Sequence, residues 1–349
     1  MFEFDFLPVT NADGEGTTKS GDAICCRFID PVGRQRVVVI DAGYQSTGDA
    51  LVAHIRRHYK TDHVDLAIST HADGDHINGM STVINKLHVD ELMLHQPRKH
   101  VGSRVSAFSN IEAVDELLRT AAGNGTDVTD PFTGETRLDD HLLVLGPTKE
   151  FYEQTLREHL DNVAEVRTAH SSNSWRQRVR NLLDGALDAL PLVETLTDNG
   201  ETDPRNEGSV VTLFRIDDCH LLLTGDAGQR SLTLVADEYE ARFGSFATSP
   251  LRLFQVPHHG SRRNLGPTLL NRVIGPKGST SDVSAIISAG EKAPKHPSPK
   301  VVNALQRRGA FVAATAGATV CLPSADAPDR GWQPLVPLPP LDESGEDDD

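Results

Sequence analysis

Cysteine is scarce in this 349-residue chain: Cys25, Cys26, Cys219 and Cys321 form no Cys-x-x-Cys pair. All four sit in strand-like runs, which argues against a disulfide framework and for buried free thiols in a reducing compartment. No apolar run approaches the roughly 20 residues that span a bilayer. The start, Met1 to Thr10, alternates apolar and acidic residues and lacks the basic-then-apolar order of a secretion signal. A cytoplasmic protein without a membrane segment is the expectation. Positive charge is also short, with a formal net charge of −16, and six acids in Asp342–Asp349 leave −10 on the body. A whole face that grips polyanions is thereby excluded, though a local cationic cleft is not.

What is present centres on His71 to Met80, His-Ala-Asp-Gly-Asp-His-Ile-Asn-Gly-Met. It follows Val64 to Ile68, a short β-branched run closed by Ser69 and Thr70, so it reads as a loop at the end of a buried strand. Four metal-capable side chains, His71, Asp73, Asp75 and His76, fall within six residues. Packed so closely, imidazoles and carboxylates need a cation to hold them together.

This loop resembles the ligand loop of the metallo-β-lactamase-fold hydrolases, whose common form is His-x-His-x-Asp-His. Asp73 stands where that family usually has histidine. The departure is similar to the hydrolase domain of the ComEC-type DNA-uptake proteins, and four more segments agree: Asp41-Ala-Gly, Thr224-Gly-Asp226, His258-His-Gly-Ser and His296-Pro. The resemblance covers nearly all of residues 1–323 and implies an α/β fold, an αββα sandwich of two mixed sheets with helices outside. Insertions are expected at about 96–205, carrying helical stripes such as Ile111–Ala121 and Trp175–Leu190. The Pro-rich and acidic stretch 324–349 reads as disordered.

The site residues follow from the resemblance. Asp41 would brace the metal loop without binding metal. Site one would hold His71, Asp73 and Asp226, and site two Asp75, His76, Asp226 and His259, with Asp226 bridging. One of His258 and His259 would close the second site while its neighbour faces the substrate, with His259 favoured as ligand and His258 as acid or hydrogen-bond donor; His296 would face the substrate in the same role, and Asp75 would also orient the nucleophile. Asn206 lies about where lactamases place another histidine, and is expected near the substrate. Arg262 and Arg263 suit bidentate contact with phosphate oxygens.

Two divalent ions so held would activate a water and clamp developing charge. The carboxylate at position 73 makes manganese a competitor to zinc. The expected activity is metal-dependent hydrolysis of a phosphodiester, with DNA or a nucleotide as the candidate substrates. A lactonase or thioesterase of the same fold is the alternative, with a more apolar pocket as its mark, and a non-catalytic metal-stabilised binding module is a third reading.

Overall fold

The strands of the chain divide into two seven-stranded sheets, each half antiparallel and half parallel. The structure is a computed structural model and describes residues 1–9, 19–102, 105, 108, 110–168 (164–168 as backbone only) and 194–344. The expected stripe Trp175–Leu190 lies outside them.

The first sheet runs β14-β1-β2-β3-β4-β5-β6. Its members are β1 (Phe2–Phe6), β2 (Ala23–Ile29), β3 (Gln35–Ala42), β4 (His63–Ser69), β5 (His88–Leu94), β6 (Asp127–Thr129) and β14 (Val320–Pro323). From β3 to β6 the neighbours are parallel. The second runs β13-β12-β11-β10-β9-β8-β7, from β7 (Thr136–Arg137), β8 (Leu142–Gly146), β9 (Val211–Ile216), β10 (Cys219–Leu223), β11 (Leu251–Gln255), β12 (Ser284–Ile287) and β13 (Phe311–Ala314). From β10 to β13 it too is parallel.

Parallel strands must be joined by crossovers, so helices cover the outer faces and three apolar layers result. Phe4, Phe28, Ile40, Ile68, Phe214, Leu223 and Ile286 meet between the sheets. Against the first sheet pack α1 (Gln45–His54), α3 (Met80–Lys86), α5 (Ile111–Asn124) and α6 (Lys149–Thr168), through Leu51, Val83, Leu117 and Leu156. Against the second pack α8 (Gln229–Phe243), α9 (Pro267–Val273) and α10 (Pro299–Gln306), through Leu232, Leu270 and Val302. This is the expected αββα sandwich. No helix among the described residues is long and apolar enough to cross a membrane.

Three local expectations change. Residues 77–87, whose sequence after the His71 loop predicts one continuous helix, are instead broken between α2 (Gly74–Ile77) and α3. The break falls at Gly79, which passes so close to β3 that an added Cβ would lie 2.1 Å from the Ala42 carbonyl oxygen. The tail 324–344 is laid along the body: Leu338 N donates to Val312 O (2.8 Å), Asn303 Nδ2 to Leu341 O (2.7 Å), and Arg330 pairs with Glu3 and Asp5. Prolines reduce the entropy such a strap gives up, and polar anchors hold it where apolar burial does not.

His54 is the third change: the stripe of Leu51, Val52, Ile55 and Tyr59 predicts a helix over 49–59 with His54 and His58 on its solvated face, but His54 is buried. Its Nε2 lies 3.0 Å from Asp5, which also accepts from the Tyr59 hydroxyl (2.6 Å) and Arg330. Burial alone would raise the Asp5 pKa, but His54 and Arg330 more than reverse it. Burial, with His54 and Arg330, pushes His58 beside this cluster down to about 4. The unfolded chain therefore binds more protons than the folded one between His58's ordinary value and about 4, and stability falls as the pH drops through that window. A His58→Asn variant is expected to flatten the melting temperature between pH 6.5 and 4 relative to wild type, and an unchanged slope would refute the assignment.

Candidate metal centre

Parallel strands leave their carboxyl ends at one edge, where loops from both sheets meet. Asp41 ends β3, His71–His76 follow β4, Asp226 follows β10, and His258–His259 follow β11. The two halves are stitched together there by Val210 N to Thr70 O (3.0 Å) and Gln255 Nε2 to Asp22 Oδ2 (2.8 Å), while His258 N to Gly225 O (3.1 Å) ties loops of the second sheet and Asp22 N to Asp75 O (3.2 Å) loops of the first. Gly225 allows the two halves to approach: it has φ +51° and a Cβ there would lie 2.9 Å from Thr70 Cβ. His258 and His259 also have positive φ, 48° and 56°. Such backbone is costly for a bulky side chain and persists where the surroundings impose it.

Asp226 lies at the middle, 3% exposed. Its Oδ2 is 3.6 Å from both His71 Nε2 and His258 Nε2. Its Oδ1 is 3.5 Å from His76 Nε2 and 3.9 Å from His259 Nε2. His259 Nε2 is in turn 3.6 Å from Asp75 Oδ2, and His71 Nε2 is 3.8 Å from Asp73 Oδ2. Two nests of nitrogen and oxygen atoms thus flank one carboxylate.

Hydrogen bonding at the far side of three rings decides what these nitrogens carry. The Thr70 hydroxyl donates to Asp41 Oδ2 (2.6 Å), so at 3.0 Å from His71 Nδ1 it can only accept. His76 Nδ1 donates to the same Asp41 oxygen at 2.7 Å. The Asn264 amide is oriented by its Nδ2, which donates to the carbonyls of Asp226 (2.9 Å) and Ala227 (3.2 Å). Its Oδ1 therefore faces His258 Nδ1 at 3.2 Å and accepts from it. Neutral imidazole has one N–H. With Nδ1 donating in His71, His76 and His258, each Nε2 presents a lone pair to the Asp226 carboxylate.

With the rings neutral, acceptor faces acceptor. His71 Nε2, His76 Nε2, Asp226 Oδ1 and both nitrogens of His259 are buried without a hydrogen-bond partner. Orphaned buried groups of this kind are costly. Zinc–nitrogen bonds of about 2.0–2.1 Å in tetrahedral array put neighbouring donors roughly 3.3 Å apart. The observed 3.5–3.9 Å is close to that spacing. The residues fit a divalent cation on each side of Asp226. Burial opposes positive charge on His76 and His259, but Asp226, with Asp41 for His76 and Asp75 for His259, outweighs it and raises both, so the site favours positive charge at these nitrogens. Burial would raise Asp226 too, yet His258, His76 and His259 hold it well below the usual carboxylate range.

The other expected residues fall as follows. Asp75 belongs with His76 and His259 to one cluster, and Asp41 with His71 and His76 to another. Asp73 gives Oδ1 to Arg205 Nη1 at 2.7 Å, leaving Oδ2 toward His71. His258, expected to face substrate, stands in the donor set around Asp226 Oδ2 beside His71. Asn206 is buried with Nδ2 3.2 Å from His258 Nδ1, while its own oxygen is unpaired, a mismatch that turning the amide over removes. His296, half-buried, has its ring 5.8 Å from that of His258 and 6.2 Å from that of His259, and burial with both neighbours lowers it to about 4. Arg262 and Arg263 occupy the turn after His259, the first half-buried and the second exposed.

Sequence reasoning missed Asp22, Thr70, Arg205, Gln255 and Asn264. Asp22 is buried, accepts from Gln255 Nε2 (2.8 Å), and clusters with Asp226 and His259. Its Gly-Asp-Ala setting was the one available signal. The Asp41 and Asn264 contacts carry a prediction. Outer partners of ligating histidines are each worth about 10–100-fold in metal affinity. Asn264→Leu, which cannot accept from His258, is expected to lose affinity in that range for one of two cations, and Asp41→Asn likewise. Calorimetric titration with zinc and manganese checks both.

No family model matches this chain, and no curated protein matches it. Among solved structures, a crystal structure provisionally described as a metallo-beta-lactamase from Thermotoga maritima is similar at 13% identity. The match covers 70% of this chain and 86% of that one, with a TM-score of 0.34.

Proposed function

We propose that this chain is a metal-dependent hydrolase acting on phosphodiesters with two divalent cations. One observation carries the reading: the Nε2 lone pairs of His71, His76 and His258 are fixed to face the two oxygens of Asp226, an arrangement that a cation on each side relieves. Bound there, the cations would supply a water of lowered pKa and neutralise charge developing on the substrate.

The chain's own groups would do the rest. His71, His76, His258, His259, Asp75 and Asp226 hold the centre, with Asp73 completing it on the Arg205 side. Asp41, Thr70 and Asn264 keep the rings in one tautomer. Asp75, half-buried and held below the usual carboxylate range by His259 and His76 against burial, stays an acceptor that orients the nucleophile. His296 is neutral near pH 7 and offers a hydrogen bond to the substrate without a charge. Arg262 and Arg263 supply positive charge for phosphate oxygens.

Hydrolysis of an acyl ester, lactone or thioester is the second reading, favoured by an apolar pocket lined by Leu94, Phe108, Tyr152 and Leu156 alongside His71. Assays with manganese or zinc separate the two, using bis-p-nitrophenyl phosphate, a cyclic dinucleotide and single-stranded DNA against p-nitrophenyl butyrate and a simple lactone. Phosphodiester turnover exceeding acyl turnover by at least tenfold is expected. The reverse order transfers the proposal to acyl esters, and turnover of neither class ends it.

A further inference from the structure

The pocket beside His71 has a polar feature that neither reading uses. Its walls are Leu94, Pro97, Phe108, Tyr152 and Leu156, and His71 and Arg205 also face it; its open space is about 420 Å³, mouth included. His95, at the end of β5, lines it too. This ring is 6% exposed, and among the described residues neither of its nitrogens has a hydrogen-bond partner. One face stacks on Tyr152, with centroids 4.0 Å apart and planes at 21°, and Phe132 packs at 5.1 Å. Tyr152 and Phe132 are themselves 6.0 Å apart, so they do not sandwich the ring: Tyr152 covers one face and Phe132 packs to its side. Burial, aided by His100, lowers His95 to about 3, so the ring is neutral and offers one donor and one acceptor.

A buried neutral imidazole left unpaired is costly, and an apolar wall cannot repair it. A ligand that brings apolar faces and a hydrogen-bonding edge repairs it and fills the pocket. We infer that this pocket seats one planar heteroaromatic ring carried by the substrate, its polar edge on His95 and its faces against the apolar walls, next to the reacting group at the centre. The inference deepens the proposed hydrolase reading and rests on it for the location of the reacting group. A flexible polar chain leaves His95 unpaired, and a plain alkyl group satisfies the walls alone.

Binding of non-hydrolysable probes to the manganese-loaded full chain tests this apart from turnover. Methylphosphonate, phenylphosphonate and 4-pyridylphosphonate are titrated calorimetrically. Burying a ring is expected to favour phenyl over methyl by about tenfold to a hundredfold, and pyridyl over phenyl by about threefold to tenfold. Leu156→Trp fills the pocket and is expected to abolish both preferences. Leu156→Phe, a milder filling, gives the same direction if the tryptophan variant loses its melting transition. His95→Phe should keep the phenyl preference and lose the pyridyl increment. Equal affinity for all three probes in wild type overturns the inference, as does a ring preference that survives both Leu156 variants. Failure of the hydrolase reading is scored separately by bis-p-nitrophenyl phosphate turnover: ring preference without turnover leaves a ring-binding pocket and no hydrolase.

Discussion

On the proposed two-cation phosphodiesterase reading, Asp226→Ala is expected to lower turnover by about a thousandfold or more, equivalent to roughly 4 kcal/mol of barrier, and to reduce bound metal from two ions per chain to one or fewer. The size follows from position. Each Asp226 oxygen faces two histidine nitrogens, so the substitution strips a donor from both nests at once. Asp226→Asn separates charge from shape, because its amide nitrogen turns a donor toward a lone pair where a cation is expected. Turnover should fall almost as far, and the melting temperature should lose the increment that saturating manganese gives wild type, about 4 kcal/mol at a thousand times Kd. Metal analysis, turnover and melting are read on the same samples. Turnover within tenfold of wild type for Asp226→Ala, with two ions still bound, would remove Asp226 from the centre.

The second large effect concerns stability, far from the centre. Arg308 is fully buried at the end of α10. Its Nη1 lies 2.7 Å from Glu194 Oε2 and donates to Ala304 O at 2.8 Å, while Nε donates to Asn271 Oδ1 at 2.9 Å. One guanidinium thereby ties α9, α10 and the segment that re-enters at Glu194. Removing one partner of a buried ion pair costs about 3–5 kcal/mol, because the other charge is left without compensation in a dry setting. Arg308→Met is expected to destabilise by that amount in urea unfolding. The double variant Arg308→Met with Glu194→Leu should recover only part of it: the buried carboxylate is gone, but Arg307 Nη1 and Lys277 Nζ, each 3.7 Å from Glu194, lose their contact with it. A loss below about 1 kcal/mol for the single variant would show that water reaches this pair.

Much of the centre is local in the chain and could be read from it. His71, Asp73, Asp75 and His76 lie within one loop, and the apolar runs before Asp41, Asp226 and His258 announce strands whose ends must coincide if the sheet is parallel. The αββα architecture follows from the same alternation of strand and helix patterns. What resisted reading was the set of contacts made by ordinary residues far apart in sequence. Nothing in an isolated threonine at 70 or asparagine at 264 announces that it fixes the tautomer of a histidine, because that depends on where its hydrogen-bond partners arrive in space.

Burial is decided in the same way. His54 and His58 alternate with apolar residues on a helix that looks amphipathic, yet Asp5 and Arg330 from opposite ends of the chain close over them. The tail beyond Pro323 has the composition of a disordered segment, but a few directed hydrogen bonds keep residues up to 344 against the body. Sequence alone determined the donor types and the order of the strands, because both are properties of neighbouring residues. Tertiary structure alone decided which nitrogen of each ring faces Asp226 and that His258 joins His71, because these depend on side chains brought together across two sheets.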